Sequence, residues 1–281
     1  MKRLLITIAV AAVAVVGAAA QRQGGAPARY TPAPGAKDLR AVLFNWAWYM
    51  GMLRGAQENE SVATLELKAS GTIQVDGQPC RLTKYRISNN YQVPGERVQI
   101  ACTRANGQMY SNVEVVNGQY AWDEDIPGAE IVPGKGKATP KPALLHERLI
   151  RLWASPQGAP KAAAAAKENA SVAWDTGKPV VTYPIPGVPG AIAKATLSAQ
   201  NQAEHIEVRD GNTVTTFDYA KYDDYNNPLN KIEAFMPGTM VEKRNGATVR
   251  DLTTTETETG NLYVVMPVPA SVRKAATPQS N

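Results

Sequence analysis

Cysteine and histidine are scarce in this 281-residue chain, with two of each. Two cysteines cannot make a disulfide-dense scaffold, and two histidines leave little for a histidine-based metal cluster. No Gly-x-Ser-x-Gly elbow, His-Glu-x-x-His pair, P-loop or Gly-x-Gly-x-x-Gly turn occurs, so the common signatures of hydrolases, zinc proteases and nucleotide binders are missing. No run of Lys or Arg appears, and the positive charges are interleaved with Asp and Glu. A nucleic-acid footprint is therefore unsupported. Charged residues make up only 20% against 44% hydrophobic, which is globular composition rather than that of a disordered chain. The length allows one or two domains and a sizeable core without staples.

What is present begins with an export pattern. Lys2 and Arg3 precede an apolar run from Leu4 to Val16, and Ala18-Ala19-Ala20 is a small-residue cleavage site. Residues 1–20 read as a cleavable signal peptide, since the run is shorter than a membrane span requires. Its removal takes the net charge from +5 to +3. The mature protein is then expected to be periplasmic or secreted, with no integral membrane span. Residues 21–37, rich in Gly, Pro, Ala and Gln, read as a flexible leader, and 269–281 as a flexible tail.

Asp38 to Arg54 reads as a helix, with Asp38 as N-cap and Gly55 at its end. Leu39, Val42, Leu43, Trp46, Met50 and Leu53 form the i, i+3, i+4 stripe. Its other face carries Phe44, Ala47, Trp48 and Met52, so the helix is expected to be covered on most sides, best by a sheet. From Val62 to Val75, Leu65, Leu67, Ala69, Ile73 and Val75 share one parity and polar residues the other, as in a strand with one wet face. Asp76-Gly77, Asn106-Gly107, Asn117-Gly118, Asp210-Gly211 and Asn245-Gly246 then read as hairpin turns. Strands are expected near 62–75, 79–90, 96–105, 108–116 and 119–124. A second set is expected near 171–185, 191–200, 203–209, 213–219, 230–236, 239–244, 247–258 and 261–266. Between the sets lie a Gly/Pro/Lys-rich loop at 126–142, a helix at 142–154, and an Ala-rich helix or linker at 160–168. Helices packed on one face of an antiparallel sheet make an α+β fold.

Candidate chemistry is sparse. Cys80 and Cys102 are symmetric in number about Tyr91, on adjacent strands, and read as a cross-strand disulfide in preference to two buried thiols. His146 and His205 read as surface or satisfied structural residues. Asp223, Asp224, Asn226 and Asn227 read as a polar turn before a calcium site, since the EF-hand spacing is absent. The same holds for the acidic strand end Trp122-Asp123-Glu124-Asp125. No metal or cofactor is expected.

The C-terminal part carries Tyr222-x-x-Tyr225, Pro237-x-x-Met240, Gly246, Asp251-Leu252, Asn261 and Pro267. With the export segment, the N-terminal apolar helix and the long first strand, this resembles the periplasmic lipoprotein-carrier superfamily (LolA/LolB-like, with RseB-like relatives). The match spans 38–268 by element order and 217–268 by residues. The resemblance implies a curved antiparallel half-barrel closed by helices. It also implies an apolar cavity for lipid or lipoprotein acyl chains, or for a hydrophobic segment of an envelope protein. Residues 38–268 are expected to form one such domain, with a helical and Pro-rich insertion at about 126–170. The expected pocket residues are Leu43, Phe44, Trp46, Ala47, Met50 and Leu53 on the helix and Leu65, Leu67 and Ile73 on the sheet. The expected role is ligand binding without catalysis. The rivals are an interaction module of the cell envelope with a filled core, and a hydrolase using carboxylates near Asp123 or Asp223.

Overall fold

A computed structural model of the chain describes residues 39–53, 62–225 and 234–276. The export segment, the leader, Asp38, Gly55, Asn226, Asn227 and the last five residues of the tail lie outside them. Helix α1 (Leu39–Tyr49) comes first. Strands β1 (Thr64–Val75), β2 (Gln78–Asn90), β3 (Gly95–Arg104), β4 (Met109–Asn117), β5 (Tyr120–Glu124) and β6 (Ala138–Pro140) follow as an antiparallel meander. Helices α2 (Leu145–Trp153) and α3 (Gly158–Ala165) come next. A second meander then runs through β7 (Ser171–Asp175), β8 (Lys178–Pro184), β9 (Ile192–Leu197), β10 (Ala203–Asp210), β11 (Thr213–Asp224), β12 (Phe235–Arg244) and β13 (Ala247–Thr259). Helix α4 (Ala270–Ala276) is the last element.

The two meanders are one sheet. Among the described residues thirteen strands are ordered β6-β5-β4-β3-β2-β1-β13-β12-β11-β10-β9-β8-β7. The first and last strands join the halves, pairing from Leu65↔Thr259 to Ile73↔Arg250. Strands β6 and β7 are the free edges, so the sheet does not close into a barrel. The chain must travel from one edge to the other between them. It does so as α2 and α3, which cross one face, called here the inner face. Of the insertion expected at about 126–170, α2 and α3 form the crossover that covers the sheet, while β6 extends its edge.

Local sequence explains the strands. In β1, Leu65, Leu67, Ala69 and Ile73 are buried while Lys68, Ser70 and Gln74 face water, the alternation of a strand with one covered face. A bulge between Lys68 and Ala69 bends the pair β1–β13. At Gly71 the strands approach so closely that an added Cβ would fall on the Asp251 carbonyl oxygen. The turns Asp76-Gly77 and Asn245-Gly246 have positive φ at both residues, as a type I′ hairpin requires.

Several boundaries differ from expectation. The run 171–185 splits at Thr176-Gly177, where both φ values are positive and a tight hairpin separates β7 from β8. Residues 230–233 of the segment expected at 230–236 lie outside the described residues; Phe235 and Met236 belong with 239–244 to one strand, β12, which passes through Pro237 and Gly238. Residues 261–266 are no strand; they cross the outer face of the sheet. The expected loop 126–142 contributes edge strand β6, and the expected tail contains α4, whose Val272 is buried.

Cores lie on both faces. The large one holds Trp46, Leu67, Val98, Leu152, Tyr183 and Ile206 between the inner face and α1–α3. The small one packs Val113, Val115 and Trp122 against Val264, Met266 and Val272 on the outer face.

Candidate functional site: a cavity under the crossover helices

Helix α2 reads LHERLIRLW, and every residue from Arg148 to Trp153 is buried. Two buried arginines need partners, because an unpaired charge inside a protein is costly. Arg148 donates Nη1 to the carbonyl oxygens of Val115 and Trp122, and Nη2 to Asp123. Arg151 donates Nε to Glu96 at 2.6 Å, and its Nη2 lies 2.9 Å from Glu114. Glu114 also receives Arg250 at 3.4 Å, and Arg250 in turn binds Glu242. Burial alone would raise Glu114, but Arg151, Arg250 and Arg148 hold it at about 2. Burial likewise works against the charge on Arg151, which Glu96 and Glu114 raise well above the ordinary arginine value.

The end of α2 leaves carbonyls that have no partner within the helix. Sheet tyrosines fill this role: Tyr219 donates to Ala154 O at 2.9 Å and Tyr183 to Trp153 O at 3.3 Å. Burial raises both phenols, so they remain donors. The chain then turns into α3 through Gly158, where an added Cβ would fall on Leu152 O. Gln157 fastens the corner by donating to Phe235 O at 2.7 Å.

Between this corner and the middle of the sheet lies a cavity of about 50 Å³. Its walls are apolar, from Leu65, Leu67, Ile87, Phe217, Met236 and Leu252, and belong to both meanders. One end is the charged cluster of Glu96, Arg151, Glu242 and Arg250, with Tyr85. Beyond Arg250 a polar cavity of about 200 Å³ is lined by Glu114, Glu147, Arg244, Tyr110 and Asp76.

The expected pocket residues divide between several places. Leu65 and Leu67 line the apolar cavity, and Ile73 lines the polar one. The six residues expected on the first helix line neither, and Met50 and Leu53 lie beyond the end of α1 at Tyr49. Trp46 and Met50 are fully buried in the large core, with Leu43 and Ala47 packed against it. Leu53 is half-buried. Phe44 is 41% exposed and stacks on Trp48 at 5.8 Å. The reason is positional: α2 and α3 occupy the centre of the inner face, so α1 packs beside them on α3 and β7. The crossover, and not α1, closes the cavity.

The sequence reading missed Glu96, Glu114, Glu242, Arg151 and Arg250. Each strand member shares the inward parity of apolar neighbours: Glu96 with Val98, Glu114 with Val116, Glu242 with Met240 and Arg250 with Leu252. A charge at an inward position was the available signal.

The other candidates lie away from the apolar cavity. Cys80 and Cys102 form a disulfide with Cα atoms 5.5 Å apart. His146 pairs with Asp210 at 3.0 Å and His205 with Asp218 at 2.7 Å, both near the surface. Asp123 is taken by Arg148 and Lys141. Asp223 and Asp224 are exposed at the end of β11, seven strands away from Asp123 in the sheet. Among the described residues no three His, Cys, Asp or Glu side chains are placed to hold a metal. None of the helices there is long and apolar enough to cross a membrane.

The fold and site define a class: an α+β protein whose open antiparallel sheet is crossed by helices over an apolar cavity with a charged end. No protein-family model matches the chain, and no curated protein does. Among solved structures it is similar to a LolA superfamily protein from Nitrosomonas europaea, at 11% identity and a TM-score of 0.41. That similarity covers 79% of this chain and 93% of the other.

Proposed function

We propose that this is an exported binding protein that holds an apolar chain between α2–α3 and the inner face of the sheet. One observation carries the reading: the middle of the inner face keeps an apolar cavity where a helical cover rests on the sheet through side chains. The export pattern at 1–20 and the Cys80–Cys102 disulfide support a periplasmic or secreted location. No catalytic step is part of the proposal.

The volume sets the mechanism. A cavity of about 50 Å³ is close to the share of one or two water molecules, at about 30 Å³ each. An acyl chain enters only when the α2–α3 corner lifts. Each buried CH₂ then returns about 0.8 kcal/mol, against the loss of the Arg148 and Arg151 ties. Lipid or an acylated protein is the ligand class that brings enough apolar length.

The test is native mass spectrometry with solvent extraction on protein purified from the exported fraction, repeated after lipid add-back. A retained acyl species, lost in Leu67→Lys, is the expected result. No species before or after add-back overturns the carrier reading. The same result favours the second reading, an envelope interaction module with a filled core, which the small cavity volume supports.

A further inference from the structure

At the charged end of the apolar cavity, three residues carry buried donors that no described residue satisfies: Arg151 Nη1, Arg250 Nε and the Tyr85 hydroxyl. All three residues line the cavity and are more than nine-tenths buried. They arrive from three elements, α2, β13 and β2. Burial pushes the Tyr85 hydroxyl up to about 12, so it keeps its proton. An unmet buried donor is costly, and three on residues that line one cavity call for an acceptor from outside the chain. Asn89 Oδ1 also lacks a partner, but it is an acceptor. It lies four residues along β2, about 13 Å away at the usual strand rise, and so outside the donor set.

Charge selects the kind of acceptor. The guanidiniums of Arg151 and Arg250 already serve three carboxylates, Glu96, Glu114 and Glu242. A carboxylate or phosphate arriving here would be a fourth negative group among them, with burial opposing its charge. A neutral acceptor meets the donors without adding charge. Its apolar remainder would lie on Leu65, Leu67, Ile87 and Phe217.

We propose that Tyr85, Arg151 and Arg250 form a subsite for the uncharged carbonyl of an ester or amide joined to an apolar chain. This rests on the reading of the cavity as a ligand site. A free fatty acid is the ligand that the subsite rejects.

The experiment compares dissociation constants of the mature chain for dodecane, methyl dodecanoate, N-methyldodecanamide and dodecanoate at pH 8, by tryptophan fluorescence. The ester or the amide should bind about tenfold more tightly than dodecane, as one or two net hydrogen bonds imply. Whichever of the two is preferred distinguishes a glycerolipid-type source from an amide-linked one. Dodecanoate should bind no better than dodecane. Tyr85→Phe, which keeps the ring, should reduce the ester-to-dodecane affinity ratio severalfold. Dodecane binding with no carbonyl preference, or tighter binding of dodecanoate than of the ester and amide, overturns the subsite alone. Equal weakening of dodecane and ester in Tyr85→Phe also overturns it. Failure of every probe to bind overturns the cavity reading itself, and the subsite with it.

Discussion

The two faces of the sheet are covered by different chemistry. On the inner face the cover is helical, held by buried guanidiniums that reach several partners at once and by phenols that each donate to one helix carbonyl. On the outer face the cover is the extended segment 261–268 and α4. Side-chain amides hold it there: Asn90 donates to Val264 O at 2.8 Å and Asn117 to Met266 O at 2.7 Å. Asn261 donates to Glu66, which Ser88 and Arg86 also bind. The outer cover packs directly on its core, and Gly95 leaves room for Met266. The inner cover leaves a cavity and unmet donors. Removing one partner of a buried ion pair is severe, because the other charge stays buried. Removing one neutral amide is mild. The inner cover is therefore expected to detach as a unit, while the outer cover loosens bond by bond.

The largest effect should come from Arg148→Ala. Arg148 is 2% exposed and spans two carbonyls and Asp123. Its loss should destabilise the fold by about 3–5 kcal/mol, read by urea unfolding. A loss below about 1 kcal/mol, the range of an ordinary hydrogen bond, would erase the distinction between the two covers.

Second comes acid. Glu114 is held at about 2 in the fold, from an ordinary 4.5. The unfolded chain therefore binds the extra proton between those values. The stability from Glu114 is full above 4.5 and disappears as pH falls towards 2, about 3 kcal/mol in all. Glu96 has the opposite sign: burial raises it, so its contribution favours the fold at low pH and is lost as pH rises through its folded value. Glu114→Gln should flatten the loss of stability between pH 4.5 and 2 in urea titrations. An unchanged acid limb would mean that another carboxylate, such as Glu66 on the outer face, carries it.

The contrast between covers also shows where sequence is informative. The strand at 62–75 and the type I′ turns were legible because alternation and Asn-Gly or Asp-Gly chemistry are local. The disulfide was legible, but its symmetric register was not. In the fold Leu82 faces Cys102 and Cys80 faces Arg104, since a turn at 91–94 and a bulge between Leu82 and Lys84 shift the pairing. The sulfurs meet on a diagonal of one face. The joining of β1 to β13 was not legible, because its partners lie about as far apart in the chain as the fold allows. Helix α1 is apolar nearly all round, so its composition did not say which neighbour would bury Trp46; α3 and β7 serve as well as a cavity wall. Glu96, Glu114, Glu242 and Arg250 are each visible as inward charges, but their meeting depends on the registers of six strands, from β4 through β1 and β13 to β12.

The smallest effect tests the outer cover. The Asn117 side chain gives one amide to Met266 O and is part-buried. Asn117→Ala removes that bond and leaves a neutral carbonyl near the edge of the strap. The expected loss is about 1 kcal/mol. Its location matters more than its size. Hydrogen exchange should speed in 261–276 and stay unchanged in α2 and α3, because the segment and the helices lie on opposite faces of the sheet. Binding in the inner cavity should be unaffected as well. If instead α2 exchanges faster in Asn117→Ala, the two covers are coupled through β4, which carries Asn117 on one face and Glu114 on the other. The inner cover would then detach together with the strap, and the difference drawn between the faces would be one of bonding alone.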